Sequence, residues 1–191
     1  MPNIKALEMS HLASNGPMIE TQRLILRPPL AEDLDGFAAL SADPESARFI
    51  GGVQPRAMAW RNLCVLAGSW SIQGFAMFSV LEKSTGAWVG RVGPWKPEGW
   101  PGTEIGWGLL REYWGRGYAT EATAATMDWA FDHLGWTDVI HCIVPENTPS
   151  QQVALRLGSR VLGQAHMPPP YDTIRVDRWG QNRDEWRARR K

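Results

Sequence analysis

The stretch Glu104-Ile-Gly-Trp-Gly-Leu-Leu-Arg-Glu-Tyr-Trp-Gly-Arg-Gly-Tyr-Ala-Thr-Glu-Ala122 changes its hydrophobic period halfway along. Residues 103–110 are typical of a strand, and residues 118–134 place apolar side chains at helical spacing. Between them lie Gly115 and Gly117. A helix that begins directly after a glycine loop leaves its first N–H groups without internal partners and turns the positive end of its dipole outward. The glycines let a ligand approach the backbone, and Arg116 adds a charged donor, so the stretch predicts an anion site.

Two common phosphate-binding motifs do not fit this loop. A P-loop would continue as Gly-Lys-Ser or Gly-Lys-Thr, which the sequence lacks after Gly117. A Rossmann fingerprint needs three glycines after an early strand and an acidic residue on the next strand of a βαβ unit, and this strand comes late in the chain. Many helices also begin at a glycine for steric reasons alone, so the loop by itself does not identify the ligand.

The segments outward from this stretch predict one mixed α/β domain. Lys83-Ser84-Thr85-Gly86 indicates a hairpin turn. The second helix ends at Gly68 or at Gly74. Apolar periodicity predicts strands over residues 21–27, 75–82, 87–92, 103–110, 138–144, 160–164 and 173–179, and helices over residues 33–43, 56–70, 118–134 and 148–157. We expect a leader over residues 1–18, the domain over residues 19–182 and a charged tail over residues 183–191 that frays.

Charge, hydropathy and metal-ligand spacing exclude several classes of function. Lys plus Arg and Asp plus Glu are both 20, so no net charge draws the protein to nucleic acid or to an acidic membrane. No uncharged apolar run approaches the roughly 20 residues that a membrane span needs, and a cytoplasmic location is the default expectation. The two cysteines make no disulfide framework, and the four histidines show no metal-ligand spacing, so we expect no metal. We interpret His141 as a packed or groove-lining residue.

Tryptophan is unusually frequent, with eleven copies. Most copies of so large a side chain line a core or a groove. Trp95 and Trp100 instead flank a Pro- and Gly-rich stretch, residues 94–102, whose composition predicts an exposed loop. Aromatic residues in such a loop favour the mouth of a substrate site, and packing against a neighbouring subunit explains them equally well.

The segment Tyr113-Trp-Gly-Arg-Gly-Tyr-Ala-Thr-Glu-Ala122 resembles the acetyl-CoA-binding motif of GNAT N-acetyltransferases, and most closely that of the Rim-type branch, which acetylates ribosomal-protein N-termini. Residues 21–27 resemble the first strand of that family, residues 104–107 the fourth, and residues 144–158 the segment after the fifth. The resemblance spans residues 21–179. It implies an α/β GNAT fold, with a twisted mixed sheet of about seven strands, flanking helices and splayed fourth and fifth strands.

The resemblance also implies the cofactor, acetyl-CoA, and the residues that bind it. The pantetheine arm is assigned to backbone groups on one side and to Asn147 and Ser150 on the other. An N-cap role for Asn147 can coexist with that contact, and Glu121 is expected to stabilise the first helical turn. The cofactor-binding residues implied are Leu109, Leu110 and Arg111 for the arm, Trp114 and Gly115 for the loop, and Arg116, Gly117, Tyr118, Ala119 and Thr120 for the pyrophosphate.

Acetyl transfer from a thioester needs a neutral amine, stabilisation of charge on the carbonyl oxygen and a proton for the thiol that leaves. Glu104 is the candidate base, because family members often carry a carboxylate on this strand; a salt bridge to a basic neighbour is the alternative role. The stabilisation of negative charge on the thioester carbonyl oxygen is assigned to a backbone N–H near Leu109. Many members place a tyrosine as acid on the helix after Asn147, where this chain has Leu155, so Ser150 or water is left as proton donor.

We expect the protein to acetylate a primary amine, either a protein N-terminus or a small molecule, by direct attack in a ternary complex. Trp95, Trp100 and the helices over residues 33–43 and 56–70 are expected to wall the acceptor groove. The sequence leaves open a monomer or a homodimer. Because the tyrosine is missing, a non-catalytic acyl-CoA-binding module is the alternative, and a phosphate-binding protein unrelated to CoA is a third possibility. Two further departures from the family pattern are Trp114 and Ser159.

Overall fold

Eight strands form one mixed sheet in residues 16–190, the part of the chain that the computed structural model describes. Residues 1–15 of the expected leader lie outside it. The strands are β1 (Ile19–Glu20), β2 (Leu24–Arg27), β3 (Phe78–Glu82), β4 (Trp88–Trp95), β5 (Glu104–Leu109), β6 (Asp138–Ile143), β7 (Arg160–Ala165) and β8 (Val176–Asn182), in the order β1-β2-β3-β4-β5-β6-β8-β7. All seven predicted strands are present. The eighth, β1, is a two-residue pairing with β2 that is too short to show a period.

The first five strands form an antiparallel meander. The predicted hairpin between β3 and β4 is confirmed: the Glu82 N–H donates to Ala87 O at 2.9 Å, and Gly86 takes the positive φ that the turn requires. β4 and β5 then pair continuously from Gly90–Leu109 to Trp95–Glu104. This long ladder forms the centre of the sheet beneath the site described below.

β5 and β6 are parallel neighbours joined by the single pair Glu104–Ile140. At this junction the Ile140 N–H donates to Thr103 O at 2.9 Å. Beyond it the two strands separate toward their carboxyl ends, which confirms the splayed pair expected from the resemblance. β6 continues antiparallel to β8, and β8 to the edge strand β7.

Six helices flank the sheet among the described residues: α1 (Leu34–Ala42), α2 (Pro44–Ala47), α3 (Arg56–Gln73), α4 (Tyr118–His133), α5 (Thr148–Leu157) and α6 (Arg183–Arg189). α3 passes through Gly68 and ends at Gly74, whose φ is 78°. α1 packs on one face, where the Phe37 and Trp88 rings are 5.0 Å apart. α4 packs on the other, where Ala122 shares a core with Leu109. The sheet therefore separates an α1 face from an α4 face.

The charged tail does not fray over residues 183–189, so that expectation was wrong. α6 begins with a capping box between Asn182 and Glu185. Trp186 is only 4% exposed, packs with Met127, and donates its indole N–H to Asp128 at 2.7 Å. One tryptophan within a charged run buries enough apolar surface to keep the helix packed against the domain. The prediction of a frayed tail rested on the charged residues and did not consider this burial.

Candidate active site

The opening between β5 and β6 leaves backbone groups free along one edge of β5. Leu110 donates its N–H to Val89 O of β4 at 3.0 Å. Successive residues of an antiparallel strand direct their N–H and C=O groups to opposite sides, so the Leu109 groups point away from β4, into the opening. Leu109 O accepts a hydrogen bond from the Trp114 indole at 2.9 Å. Its N–H is the backbone donor of β5 nearest the loop that faces the gap.

Of the residues assigned to the pantetheine arm, Leu110 has its backbone groups already in use. Its N–H binds Val89 O, and its carbonyl accepts from Tyr113 N–H at 3.0 Å. Arg111 begins a short 3-10 helix and is exposed. Trp114 is 42% exposed and closes over the end of β5 through its bond to Leu109. Leu109 is thus the member of this group whose N–H is directed into the opening.

The loop before α4 presents a row of unpaired donors. Among residues 16–190, the N–H groups of residues 115–120 form no hydrogen bond with a backbone acceptor, and the next N–H, of Glu121, bonds Gly117 O at 3.0 Å. Gly115 and Gly117 have φ of 74° and 79°, a region that side chains disfavour. A Cβ at Gly115 would meet nothing within 4 Å. Open backbone donors at a helix start are what a pyrophosphate group requires.

Arg23 and Glu121 hold this loop against β2. The Glu121 carboxylate accepts from Thr21 Oγ1 at 2.6 Å, from Arg23 N–H at 2.9 Å and from Arg23 Nε at 2.6 Å. Arg23 also donates to Arg116 O at 2.9 Å. Glu121 therefore ties the first turn of α4 to the sheet. Sequence reasoning missed Arg23, because its partners are almost a hundred residues away.

Tyr118 contributes its backbone to the loop while its side chain points into the sheet. The ring is buried, lies under the Arg23 guanidinium at 4.5 Å and donates its hydroxyl to Glu82. The phenol is therefore a support of the loop. Arg116 places its guanidinium over the Tyr113 ring at 5.2 Å and remains exposed beside the free donors.

A groove of about 930 Å³ lies beside the other end of β5. It is formed by segments far apart in sequence, and it holds every residue assigned to catalysis and to acceptor binding. Its polar and aromatic lining comprises Arg48, Phe49, Gln54, Asn62, Arg91, Trp95, Glu98, Trp100, Glu104, Trp107, His141, Asn147, Ser150 and Tyr171.

Glu104 is the buried acid of this groove, with 7% of its surface exposed. Its carboxylate accepts from the Cys142 N–H at 3.1 Å, where β6 has separated from β5, and from the Trp100 indole. Burial raises the pKa of Glu104 from its ordinary 4.5 to about 7, and the two hydrogen bonds offset part of that rise. No salt bridge to Glu104 forms within residues 16–190. A carboxyl group that titrates near neutrality in a groove is suited to proton transfer.

Trp95 and Trp100 stand together at this groove. Their ring centroids are 6.3 Å apart, and Trp100 lies 6.2 Å from Tyr171 in the same edge-on manner. Trp95 faces Glu104 across the β4–β5 ladder. The two tryptophans and Tyr171 form an aromatic wall around the carboxyl group. Tyr171 was not predicted here, since its position depends on how the segment between β7 and β8 folds back.

Asn147 and Ser150 lie at the start of α5 on the groove side. Asn147 is the N-cap: its Oδ1 accepts from Ser150 N–H at 3.2 Å. Ser150 Oγ accepts from the Trp107 indole at 3.2 Å. Because the indole occupies a lone pair, the hydroxyl hydrogen of Ser150 remains available to another acceptor.

His141 is a packed residue of the groove floor, in agreement with the sequence interpretation. It is 1% exposed, its Nδ1 donates to Ile105 O at 2.7 Å, and its Nε2 lies 3.1 Å from Ser159 Oγ. Burial lowers its pKa from 6.5 to about 4, so the ring is neutral near pH 7. Ser159, a departure from the family pattern, is the hydrogen-bond partner of this histidine.

The prediction that two helices wall the groove is correct for α3 and wrong for α1. α3 contributes Asn62 and Leu66, but no residue of α1 is part of the lining among residues 16–190. The loop over residues 48–54 takes the place assigned to α1. A loop without hydrophobic period gives no sequence signal for this position. Sequence reasoning also missed Arg91 of β4, whose side chain enters the groove.

Two other kinds of site are not found within residues 16–190. No cluster of three or more His, Cys, Asp or Glu side chains is arranged to hold a metal ion. Across the same residues, none of the helices combines the length and the apolar character needed to cross a membrane.

Comparison with known proteins bears on both the loop and the groove. A family model described as Acetyltransferase (GNAT) domain matches residues 23–160. The uncharacterized N-acetyltransferase p20 of Bacillus licheniformis is 32% identical over 134 residues, which cover 68% of this chain and 75% of that protein. An acetyltransferase of Agrobacterium tumefaciens str. C58 superposes with a TM-score of 0.75 at 30% identity, covering 86% of this chain and 95% of that one.

A more distant solved structure carries a more specific description. The ribosomal-protein-S5-alanine acetyltransferase of Vibrio fischeri superposes with a TM-score of 0.69 over 89% of this chain and 98% of that one. Its identity to this chain is 18%, so the likeness is one of fold.

Proposed function

This chain belongs to the GNAT acetyltransferase family, and on that premise we propose that it transfers the acetyl group of acetyl-CoA to a primary amine by direct attack in a ternary complex. The family membership establishes an acetyltransferase. The nature of the acceptor, the mechanism and the roles of individual residues are the proposal, and so is the Rim-type choice of a protein N-terminus over a small-molecule amine.

The observation that carries the proposal is the buried carboxyl of Glu104 at the mouth of the splayed strands. Its pKa of about 7 leaves it roughly half ionised at neutral pH. An acid of ordinary pKa would be a weaker base, and a permanently neutral one could not accept a proton. Glu104 is therefore tuned to take a proton from an attacking ammonium or amine, directly or through a water molecule.

The loop over residues 115–120 fits the diphosphate of CoA. Its free N–H groups, the outward dipole of α4 and the exposed Arg116 together favour an anion. Bound there with its arm along β5, acetyl-CoA supplies the thioester carbonyl that the amine attacks. Leu109 N–H is the donor placed to stabilise negative charge on the carbonyl oxygen.

Ser150 is the proposed proton donor to the departing thiol. Its hydroxyl hydrogen is unclaimed because the Trp107 indole donates to the same oxygen. A thiol with a pKa of about 8.5 leaves without a strong acid, so we expect Ser150 to assist the step modestly. Water in the groove is the alternative donor.

The proposal is tested by steady-state acetylation of an amine panel together with calorimetric titration of acetyl-CoA, ATP and NAD. We expect saturable binding of acetyl-CoA alone and turnover of at least one amine. kcat/KM for wild type should rise with pH through an apparent pKa near 7, and Glu104→Gln should lower kcat/KM about 100-fold and remove that rise. Glu98→Gln, at an exposed glutamate of the same groove, is the matched control.

Three results would overturn parts of this account. Failure of acetyl-CoA to bind would refute the assignment of the loop. Tight binding with no turnover of any amine would favour an acyl-CoA-binding module. An unchanged pH profile in Glu104→Gln would remove Glu104 as the base.

A further inference from the structure

Arg91 lies on the same face of the sheet as Glu104. In the β4–β5 ladder, Trp95 pairs with Glu104 and Arg91 pairs with Gly108, with Gly93–Gly106 between them. These pairs alternate in position, so their side chains share the face that forms the groove. The two pairs are four positions apart along the strands, about 13 Å between Cα atoms at 3.3 Å per residue.

The floor between the two charged side chains is made of glycine. Gly93, Gly106 and Gly108 carry no side chain, and a Cβ at Gly106 would meet Met77 Cε at 2.6 Å. Met77 therefore lies on this floor, and its Sδ is 3.7 Å from the Arg91 guanidinium. The Glu104 carboxylate and Arg91 Nε also lie over the floor, at 3.6 Å from the Cβ position of Gly106 and 3.8 Å from that of Gly108, so the glycines bring the two charged groups into one part of the groove.

Arg91 lacks the acidic partner that its position calls for. Within residues 16–190, no carboxylate oxygen lies within 4.0 Å of its guanidinium, and its one hydrogen bond runs to Met77 Sδ at 3.7 Å. The side chain is partly buried, and burial lowers its pKa below the ordinary value, while the nearby Tyr171 and Glu104 offset part of that fall without pairing with it. A desolvated guanidinium with unmatched donors is costly, and a bound anion would restore the lost stabilisation.

Gln54 and Asn62 are polar residues that lie near Arg91 in the groove. Together with Arg91 they line both the groove and a small adjoining cavity of about 10 Å³, the size that holds one water. Asn62 donates to Gln54 at 2.9 Å, which fixes both amides. The other ionisable residues of the groove are Arg48 and Glu98, both exposed, together with Tyr171, His141, Cys142 and Glu104 itself.

We propose that Arg91 binds a carboxylate on the acceptor, so that the substrate is a primary amine that also bears a carboxylate group. The amine lies at Glu104, the carbon chain lies against the Met77 side chain, and the carboxylate pairs with the guanidinium, for which the planar two-oxygen geometry is suited. This inference rests on the proposed acetyl transfer to amines and adds the class of acceptor.

The test uses linear ω-amino acids with one to five methylene groups, each paired with its primary amide. The two members of a pair have the same length and differ in the negative charge. For at least one chain length we expect wild-type kcat/KM to be ten-fold or more higher for the acid. In Arg91→Met, kcat/KM for the acid should fall until the acid-to-amide ratio of kcat/KM is within two-fold of one. Arg91→Lys should retain part of the preference for the acid.

Arg48→Met is the charge-matched control, because it removes the same charge from the exposed rim of the same groove. We expect it to leave the ratio of acid to amide within two-fold of wild type. Circular dichroism and thermal melting of each variant establish that it is folded. If Arg91→Met is not folded, Arg91→Gln replaces it in the test.

A second readout does not depend on turnover. Quenching of tryptophan fluorescence by the N-acetyl ω-amino acids and by their amides measures carboxylate binding beside Trp95 and Trp100, with or without catalysis. Tighter binding of the acids that Arg91→Met abolishes supports the inference. Equal use and equal binding of acids and amides at every length overturn it, as does a preference that survives Arg91→Met. Loss of acetyl-CoA binding would refute the proposed function, and the fluorescence titration would still decide the role of Arg91.

Discussion

The loop before α4 and the groove around Glu104 lie at the two ends of the same strand, yet they are built in different ways. The loop consists of residues 115–120, one contiguous segment whose working groups are backbone N–H donors. The groove is assembled from β4, β5, β6, α3, the loop over residues 48–54 and the segment before β8, and its working groups are side chains.

This difference teaches where specificity resides in the molecule. Backbone donors at a helix start bind an anion whatever side chains surround them, so the loop suits one ligand common to many relatives. Side chains brought together from distant segments can change one at a time, so the groove can suit an acceptor of its own. If this division holds, changes in the loop alter acetyl-CoA binding alone, and changes in the groove alter acceptor use or the chemistry.

The largest expected effect is that of Gly117→Glu. A side chain here is strained at φ 79°, and its carboxylate would stand among the donors that the diphosphate needs. We expect the Kd for acetyl-CoA to rise about 1000-fold, equivalent to roughly 4 kcal/mol, by calorimetry. Gly135→Glu is the control, since Gly135 also has a positive φ and follows the opposite end of α4, where a Cβ would meet nothing within 4 Å. An equal loss in both variants would mean that the strain, and not the site, is responsible.

The next effect concerns stability. Between pH 4.5 and about 7, Glu104 keeps its proton in the folded protein and loses it in the unfolded chain, so folding stability decreases as pH rises through that window. The cost reaches up to roughly 3 kcal/mol above pH 7. Glu104→Gln removes this cost. In urea unfolding, the free energy of unfolding of the variant relative to wild type should therefore increase from pH 5 to pH 8. A constant difference across this range would show that Glu104 is not desolvated.

Trp100→Ala should have a smaller effect, confined to the groove. We expect the KM for the acceptor to rise about ten-fold through loss of an aromatic contact, while the Kd for acetyl-CoA stays within two-fold. Because the Trp100 indole lowers the pKa of Glu104, the rise in the pH profile should also move to higher pH. Trp60→Ala, at a half-exposed tryptophan of α3, should change neither quantity. Equal effects on acceptor and acetyl-CoA would break the division between the two regions.

Ser150→Ala is expected to have the smallest effect, a decrease in kcat of about three- to ten-fold with both substrates saturating. Ser150→Thr keeps the hydroxyl and should retain most of the activity. A threonine variant as slow as the alanine variant would indicate that Ser150 acts through packing against Trp107 and not as a proton donor.

Much of the loop was predictable from the sequence, because its parts are neighbours along the chain. Gly115, Gly117 and the helical period after Tyr118 already indicate an open helix start, and the structure has the helix beginning at Tyr118. Two contacts of the loop were not predicted. The Tyr118 side chain hydrogen-bonds to Glu82, and Arg23 hydrogen-bonds to Glu121. Contacts between β2 and α4 depend on packing across about a hundred residues, for which local periodicity contains no information.

Glu104 shows the same limit within the groove. The resemblance to the family drew attention to its position, but its burial, its two hydrogen-bond donors and its raised pKa come from Trp100 and Cys142. The wall assigned to α1 is formed instead by residues 48–54. α6 was missed because one buried Trp186 outweighs the charges around it.

The sequence by itself determined the order of seven strands and four helices, the glycine loop with its exposed donors and the family of the chain, since each of these depends on periods and motifs within a few consecutive residues. The tertiary structure alone decided which face of the sheet forms the groove, which carboxyl group is desolvated there and which arginine, Arg91, lies across a glycine floor from it. Burial and electrostatic environment are properties of segments brought together in space, so they arise only when β5 and β6 separate and the loops close around them.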